Sequence, residues 1–251
     1  HFFNGFYCLG DNPGIVQRRM DGSLRAKNRL KTAIRYSRII SRFPFVRGVF
    51  LSGSISKGFM AENDDIDYFI ISAPGRLWLS RTLLTVFKKV FLFNSYRNFC
   101  LNYFITAHQL EIKERHLYDA TEIVFLIPIY NRELYEEFLG KNSWVKNYFP
   151  TFRQSEEYTS DGTPWLKQLA EWLLNKTLAN SLEKLIHNYS VQYIRKKFKH
   201  LEEDVFNKCF RLSENELRYF PDDMFQNMHN KYNKRLLEFQ RQSGISLEED
   251  A

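Results

Sequence analysis

The spacing of apolar positions changes along this chain, and each change marks an element. Phe2, Phe3, Phe6 and Tyr7 flank Asn4-Gly5, a dipeptide that favours a tight hairpin. From Ser23 to Arg42, the residues Leu30, Ala33, Ile34, Ser37 and Ile40 make one less polar stripe, and Arg25, Lys27, Arg29, Lys31, Arg35 and Arg38 take the remainder. That pattern predicts a helix, and Pro44 ends it. Val49 to Leu51 is apolar and partly β-branched, which suits a buried strand. Gly53 and Ser54 break it, a short helical piece follows, and Asp65-Ile66-Asp67-Tyr68-Phe69-Ile70-Ile71 resumes a strand. Side chains alternate across a strand, so Asp65 and Asp67 share one face and Ile66 takes the other.

Downstream, Leu77, Leu84, Phe87 and Phe91 predict a helix from Arg76 to Phe91. Phe99 to Thr106 (FCLNYFIT) predicts a third strand, with Phe99, Leu101, Tyr103 and Ile105 facing away from Cys100, Asn102 and Phe104. Leu110 to Ile112 predicts a further short strand. Asp119-Ala-Thr-Glu122 has the form of a capping box opening a helix through Ile127, which Pro128 breaks or kinks. A second helical piece runs from Asn131 to Leu139. The polar stretch from Thr151 to Thr163 is the best linker, and Pro164 then suits a first helical position. No Gly or Pro interrupts residues 165–220, which predicts mainly helix with Trp165, Leu169, Trp172, Leu173, Leu182, Leu185, Ile186 and Tyr189 as core between helices. Asp222 to Arg241 is another helix. The expected organisation is a hairpin and basic helix over 1–45, an α/β domain over 46–150, and a helical C-terminal domain over 163–251.

Composition narrows the class. With 251 residues, 44% hydrophobic and 16% aromatic, the chain has material for a real core. No apolar run approaches membrane-spanning length, so no membrane partner is expected. Cys8, Cys100 and Cys209 are odd in number and far apart, which is neither a disulfide framework nor a zinc pattern and fits a reducing, cytoplasmic setting. The net charge of +7 is unevenly placed: residues 1–50 hold ten Lys and Arg against two acids. A basic segment of this kind either is a solvated helix face or meets nucleic acid or another polyanion, and no nucleic-acid motif accompanies it.

The chemistry concentrates between Gly48 and Ser72. Backbone N–H groups at a Gly53-Ser54 turn opening a helix make an anion site, and Lys57 adds a positive charge. Two carboxylates on one strand face, Asp65 and Asp67, suit a hard divalent cation, most naturally Mg²⁺. Asp64 reads as a loop cap. An apolar strand, Gly53-Ser54, a gap of ten and then Asp65-Ile66-Asp67 followed by apolar residues resemble the signature of the DNA polymerase β-like nucleotidyltransferase superfamily. That resemblance covers roughly residues 46–106. The run Ala73-Pro74-Gly75-Arg76-Leu77-Trp78-Leu79, then Thr121-Glu122 and Asn142-Ser143-Trp144, are similar to uncharacterised bacterial nucleotidyltransferase-like chains. The resemblance implies a mixed α/β (α+β) nucleotidyltransferase fold, with a small mixed β-sheet flanked by helices and a mainly helical C-terminal domain. It also implies that Gly53 and Ser54 hold an NTP triphosphate and that Asp65 and Asp67 ligate Mg²⁺ in a one- or two-metal site. An acceptor hydroxyl would then attack the α-phosphorus and expel pyrophosphate.

One position departs from that pattern. Active members usually carry a third carboxylate on a later strand, where FCLNYFIT offers Asn102 as the candidate third position. Asn can ligate a metal weakly or donate a hydrogen bond, but it cannot serve as a base. Glu111 and Asp119 are acids further on, in positions that look less suitable. The readings left open are three. The first is an ATP- or other NTP-dependent transferase with an unidentified hydroxyl acceptor. The second is a nucleotide-binding or regulatory module without turnover. The third is a nucleic-acid-binding protein using the basic N-terminal helix.

Overall fold

The computed structural model describes residues 2–3, 5–7, 13–95, 97–153, 165–174, 178–219 and 224–245, apart from the side chains of residues 13, 102, 178 and 224–229. Residues 154–163 of the expected linker lie outside them. In chain order, strands β1 (Phe2–Phe3) and β2 (Phe6–Tyr7) form the N-terminal hairpin, and α1 (Pro13–Ser41) follows. Next come β3 (Val46–Ser52), the single turn α2 (Gly53–Ser56), β4 (Asp67–Ser72), α3 (Leu77–Phe91) and β5 (Cys100–Thr106). Then α4 (Leu117–Val124), β6 (Ile127–Tyr130), α5 (Arg132–Lys141) and a 3₁₀ turn at Ser143–Asn147 complete this part. The C-terminal part holds α6 (Trp165–Leu174), α7 (Leu178–Lys197), α8 (Glu203–Cys209), β7 (Phe210–Leu212), β8 (Glu216–Tyr219) and α9 (Met224–Ser243).

Six strands make one mixed sheet in the order β6-β3-β4-β5-β8-β7. β3 runs antiparallel to both β4 and β6, β4 and β5 are parallel, and β8 is antiparallel to β5 and β7. The alternation read from the sequence sorts the core into two layers. Val49, Leu51, Tyr68 and Ile70 pack with α1 and α3 on one face, through Ala26, Ala33, Ile40, Trp78 and Leu84. Phe50, Phe69, Ile71 and Ile105 pack with α4, α5 and the 3₁₀ turn on the other, through Ile123, Phe138 and Trp144. No helix among the described residues is long and apolar enough to cross a membrane.

Several expected elements change. Helix α1 begins at Pro13, ten residues before the expected start at Ser23, and runs through Gly14 and Gly22. Gly22 is tolerated there because a β-carbon at that position would lie 2.2 Å from the Phe59 ring, and Met60 N–H donates to Gly22 O. The missing side chain lets the loop after α2 press against the helix. Pro128 does not break a helix: α4 ends at Val124, and Ile127–Tyr130 is the edge strand β6, where a residue without an N–H is harmless. A four-residue apolar run is ambiguous between helix and strand, and pairing with β3 decides it. Leu110 to Ile112 is not a strand. The buried Asn142 side chain holds it instead, donating to Leu110 O and accepting from Ile112 N–H, both at 2.8 Å.

The C-terminal segment is mainly helical, but it also supplies the β7–β8 hairpin, which extends the sheet beside β5. Of the apolar residues expected between these helices, Ile186 packs against the core, but Trp165, Trp172 and Leu173 of α6 and Leu185 and Tyr189 of α7 are exposed. Alongside Ala179, Ile186 and Ile194, polar groups turn inward. Lys167 on α6 is 2% exposed and donates to the carbonyls of Ser41 and Val46. Glu171, one turn on, accepts from Phe45 N–H at 2.7 Å and from Arg47 through two nitrogens at 2.8 and 2.7 Å. Glu183 on α7 accepts the N–H groups of Trp78 at 2.7 Å and Leu79 at 2.8 Å. It therefore caps the first turn of α3, where the N-cap residue Arg76 offers no side-chain cap.

Replacing Glu183 with Ala leaves two buried N–H groups unpaired, and urea unfolding is expected to show a loss of about 3 kcal/mol. Lys167 gives a pH signature. Burial, reinforced by the nearby Arg47 charge, pushes its ammonium down to about 8. The unfolded chain keeps that proton until about pH 10.4. Between these values the unfolded state binds more protons, so this residue makes stability rise with pH. Relative to Lys167→Met, wild type should gain about 1–3 kcal/mol on going from pH 7.5 to 10. A difference that stays flat over that range contradicts the assignment.

Candidate functional site

The antiparallel register of β3 and β4 sets Ser52 opposite Asp67 and brings the turn after β3 onto the first residue of β4. Gly53 opens α2 with φ of +69°, a left-handed conformation that glycine adopts freely. A β-carbon at Gly53 would sit 2.3 Å from Asp67 Oδ2 and 3.1 Å from its Cγ, so the carboxylate occupies the space a side chain would need. No side chain caps the N-terminus of α2. Its last turn is closed by Ser56 Oγ donating to Gly53 O at 2.9 Å and by the Lys57 N–H donating to Ser54 O at 3.1 Å.

Asp67, not Asp65, begins β4; Asp65 lies in the extended approach to the strand. Strand alternation gives Asp67 the same face as Phe69 and Ile71, the face that α4 covers. The Asp67 carboxyl is pushed up to about 6, chiefly by burial; the Cys100 thiol hydrogen bond opposes this, and the charges of Asp65, Glu122 and Asp64 add to it. Asp64 turns away into a loop cap, its Oδ2 accepting from Ala61 N–H at 2.8 Å.

A cavity of about 240 Å³ lies against this face. Gly53, Ser54, Lys57 and Asp67 line it, while Asp65 stands outside the lining. Its far wall holds Asp119, weighed from the sequence only as a less suitable third acid, with Tyr118 and Glu122 also from α4, Tyr103 from β5 and Arg218 from β8, none of which was expected at the site. The expected capping box accounts for part of that omission. The N-cap of α4 is His116, so Asp119 and Glu122 are helical residues that share a face at i and i+3. Lys57 Nζ forms an ion pair with Glu122, both half-buried. Asp119 is 7% exposed, lies 3.7 Å from the Arg218 guanidinium, and is pushed up to about 6 by burial against the opposing pull of Arg218. Arg218 itself donates to Lys208 O at 2.9 Å. Tyr103 OH lies 3.1 Å from Glu216 Oε1, and burial pushes the Tyr103 and Tyr118 phenols up.

The expected third position also reads differently. A register shift in β5 between the partners of Asp67 and Phe69 makes Cys100 the residue opposite Asp67. That bulge breaks the regular alternation expected along FCLNYFIT. Burial pushes the Cys100 thiol up, so it is a neutral donor to the Asp67 carboxylate. Asn102 belongs to β5, and its side chain lies outside the described residues. Glu111 is exposed and paired with Arg115, away from the cavity.

Among the described residues no group of three or more His, Cys, Asp or Glu is arranged to hold a metal. Mg²⁺, however, is commonly held by one or two carboxylates together with substrate phosphates and water. Asp67 lies against the Gly53-Ser54 turn, and Asp65 is near enough for its charge to raise Asp67, so these two carboxylates are the residues that would hold such an ion. Comparisons with protein-family models, with curated proteins and with solved structures find no match for this chain.

The packing of Asp67 against Gly53 can be isolated. Gly53→Ala should cost about 2–4 kcal/mol in urea unfolding, combining backbone strain with the clash. In an Asp67→Ala background the contacts at 2.3 and 3.1 Å are removed and only the tight Cβ contact at 3.2 Å stays, so the cost should fall to about 1–2 kcal/mol, mostly strain. Equal costs in both backgrounds would contradict the contact.

Proposed function

We propose that the chain is a metal-dependent nucleotidyltransferase that moves a nucleoside monophosphate from an NTP to an acceptor hydroxyl. The observation that carries this reading is one cavity lined by the Gly53-Ser54 turn, Lys57 and Asp67 on one side and by the α4 acids on the other. A strand, a Gly-Ser turn opening a short helix and an adjacent strand that begins at Asp67 are the context that the resemblance to the polymerase β-like superfamily implies.

In this reading the amides of the Gly53-Ser54 turn and Lys57 receive the triphosphate. Lys57 exchanges its Glu122 partner for phosphate oxygens as it does so. Asp65 and Asp67 hold Mg²⁺, which supplies neutralisation of phosphate charge when bound. The acceptor oxygen forms a bond to the α-phosphorus, the bond from that phosphorus to the bridging oxygen breaks, and pyrophosphate leaves. Asp119 takes the hydroxyl proton. Its carboxyl sits near neutrality, as a general base requires, and Arg218 stabilises its ionised form. Asp119 thus fills the role for which Asn102 is chemically unfit.

ATP or another NTP with Mg²⁺ should raise the melting temperature by about 5–10 °C at a hundredfold excess over Kd. Asp65→Ala/Asp67→Ala should abolish that shift. Asp119→Asn should keep the shift and slow pyrophosphate release about 10²–10⁴-fold. A shift without any pyrophosphate release across hydroxyl acceptors would favour a nucleotide-binding module. The absence of any shift at millimolar Mg²⁺ would refute the reading.

A further inference from the structure

Helix α1 carries two sets of cations with different fates. Arg25 and Arg29 turn inward to the loops beside the candidate site. Arg25 Nε donates to Met60 O at 3.1 Å, and Arg29 donates to the carbonyls of Asp64 and Arg97 and to Asn98 Oδ1. Lys27, Lys31, Arg35 and Arg38, with Arg42 in the turn just after the helix, form the second set, and all five are exposed. Among the described residues no carboxylate forms an ion pair with any of them.

Their spacing is regular. At 3.6 residues per turn the four on α1 fall within about 80° of arc, and with Arg42 the row reaches about 22 Å at roughly 1.5 Å per residue. The opposite side of the helix is fixed, because Ala26, Ala33 and Ile40 are buried against the sheet. The row is therefore a rigid strip of positive charge that folding neither neutralises nor needs. One strand of a duplex places a phosphate every 3.4 Å of axis, so about six phosphates lie alongside a strip of this length.

We infer that this strip is a docking surface for the phosphate backbone of double-stranded nucleic acid, bound without reading of base sequence. Two features favour that partner. An amphipathic helix enters a bilayer by its apolar face, and here the Ala26, Ala33 and Ile40 face is committed to the core, leaving Ile15, Met20 and Leu24 as the exposed large apolar residues of α1. Binders of single strands add aromatic platforms for unstacked bases, and no Phe, Tyr or Trp is among the exposed large side chains of α1. The inference does not depend on nucleotidyl transfer.

The test is fluorescence anisotropy with a labelled 20-base-pair duplex, using the full chain at 50 and 200 mM salt. Five phosphate contacts give a slope of about −4.5 in log K against log salt, or a loss of about 500-fold between those concentrations. Lys27, Lys31, Arg35, Arg38 and Arg42, all changed to Gln, should abolish binding while circular dichroism stays native, since Gln is as good a helix former. Lys31→Gln/Arg38→Gln should flatten the slope by about 2. Asp65→Ala/Asp67→Ala should bind the duplex like wild type, which separates this surface from the proposed site. The inference is overturned if wild type does not bind at 50 mM salt, or if the five-fold variant binds as well. It is equally overturned if the matching single strand, or vesicles of anionic phospholipid, bind more tightly than the duplex.

Discussion

The pairing that sets Ser52 against Asp67 governs this molecule's candidate site. It is an ordinary rung of an antiparallel ladder, yet it brings the end of one strand and the start of the next to the same point. The turn after β3 must then pass over the carboxylate, and only a residue without a β-carbon fits. Glycine at position 53 thus answers two constraints together, the left-handed backbone and the occupied space. The cost of burying Asp67 is visible in its raised affinity for protons, with Cys100 as a partial compensation. A cation drawn to Asp67 would relieve the same cost.

Much of this was legible in the sequence where information is local. The apolar, partly β-branched run of β3, the strand that follows Gly53-Ser54 and the helical period of α3 marked their own elements, because each rests on near neighbours in the chain. The reading failed where tertiary partners decide. Ile127–Tyr130 became a strand because β3 offered an open edge. Gly22 sits inside a helix because Phe59 packs there. Asp119 and Glu122 looked like a cap, and became a cavity wall because α4 crosses the face that carries Asp67. Arg218 lies more than 150 residues from Asp67 in sequence and reaches the cavity only through the β8–β5 ladder. No periodicity joins such distant residues.

The C-terminal helices illustrate a different principle. Apolar spacing on α6 and α7 predicted a core, of which Ile186 packs inward, while Lys167, Glu171 and Glu183 make the inward polar contacts. Hydrophobic faces associate with little regard to orientation, whereas these three side chains accept only particular backbone partners at Ser41, Phe45, Val46, Trp78 and Leu79. Buried charges of this kind add little net stability, and their value is in defining one arrangement over its alternatives. The consequence is an unusual inversion, with polar groups fixing the helices and Trp165, Trp172, Leu173, Leu185 and Tyr189 left outward.

The outer strands of the sheet carry an implication for how the protein behaves among copies of itself. An unpaired strand edge is a template on which another chain can continue the ladder. Here one border is β6, four residues with Pro128 among them, and the other is β7, only three residues long. Proline removes a donor from the first border, and the second offers too short a row to hold a newcomer. Both borders among the described residues are thereby poor templates for strand addition.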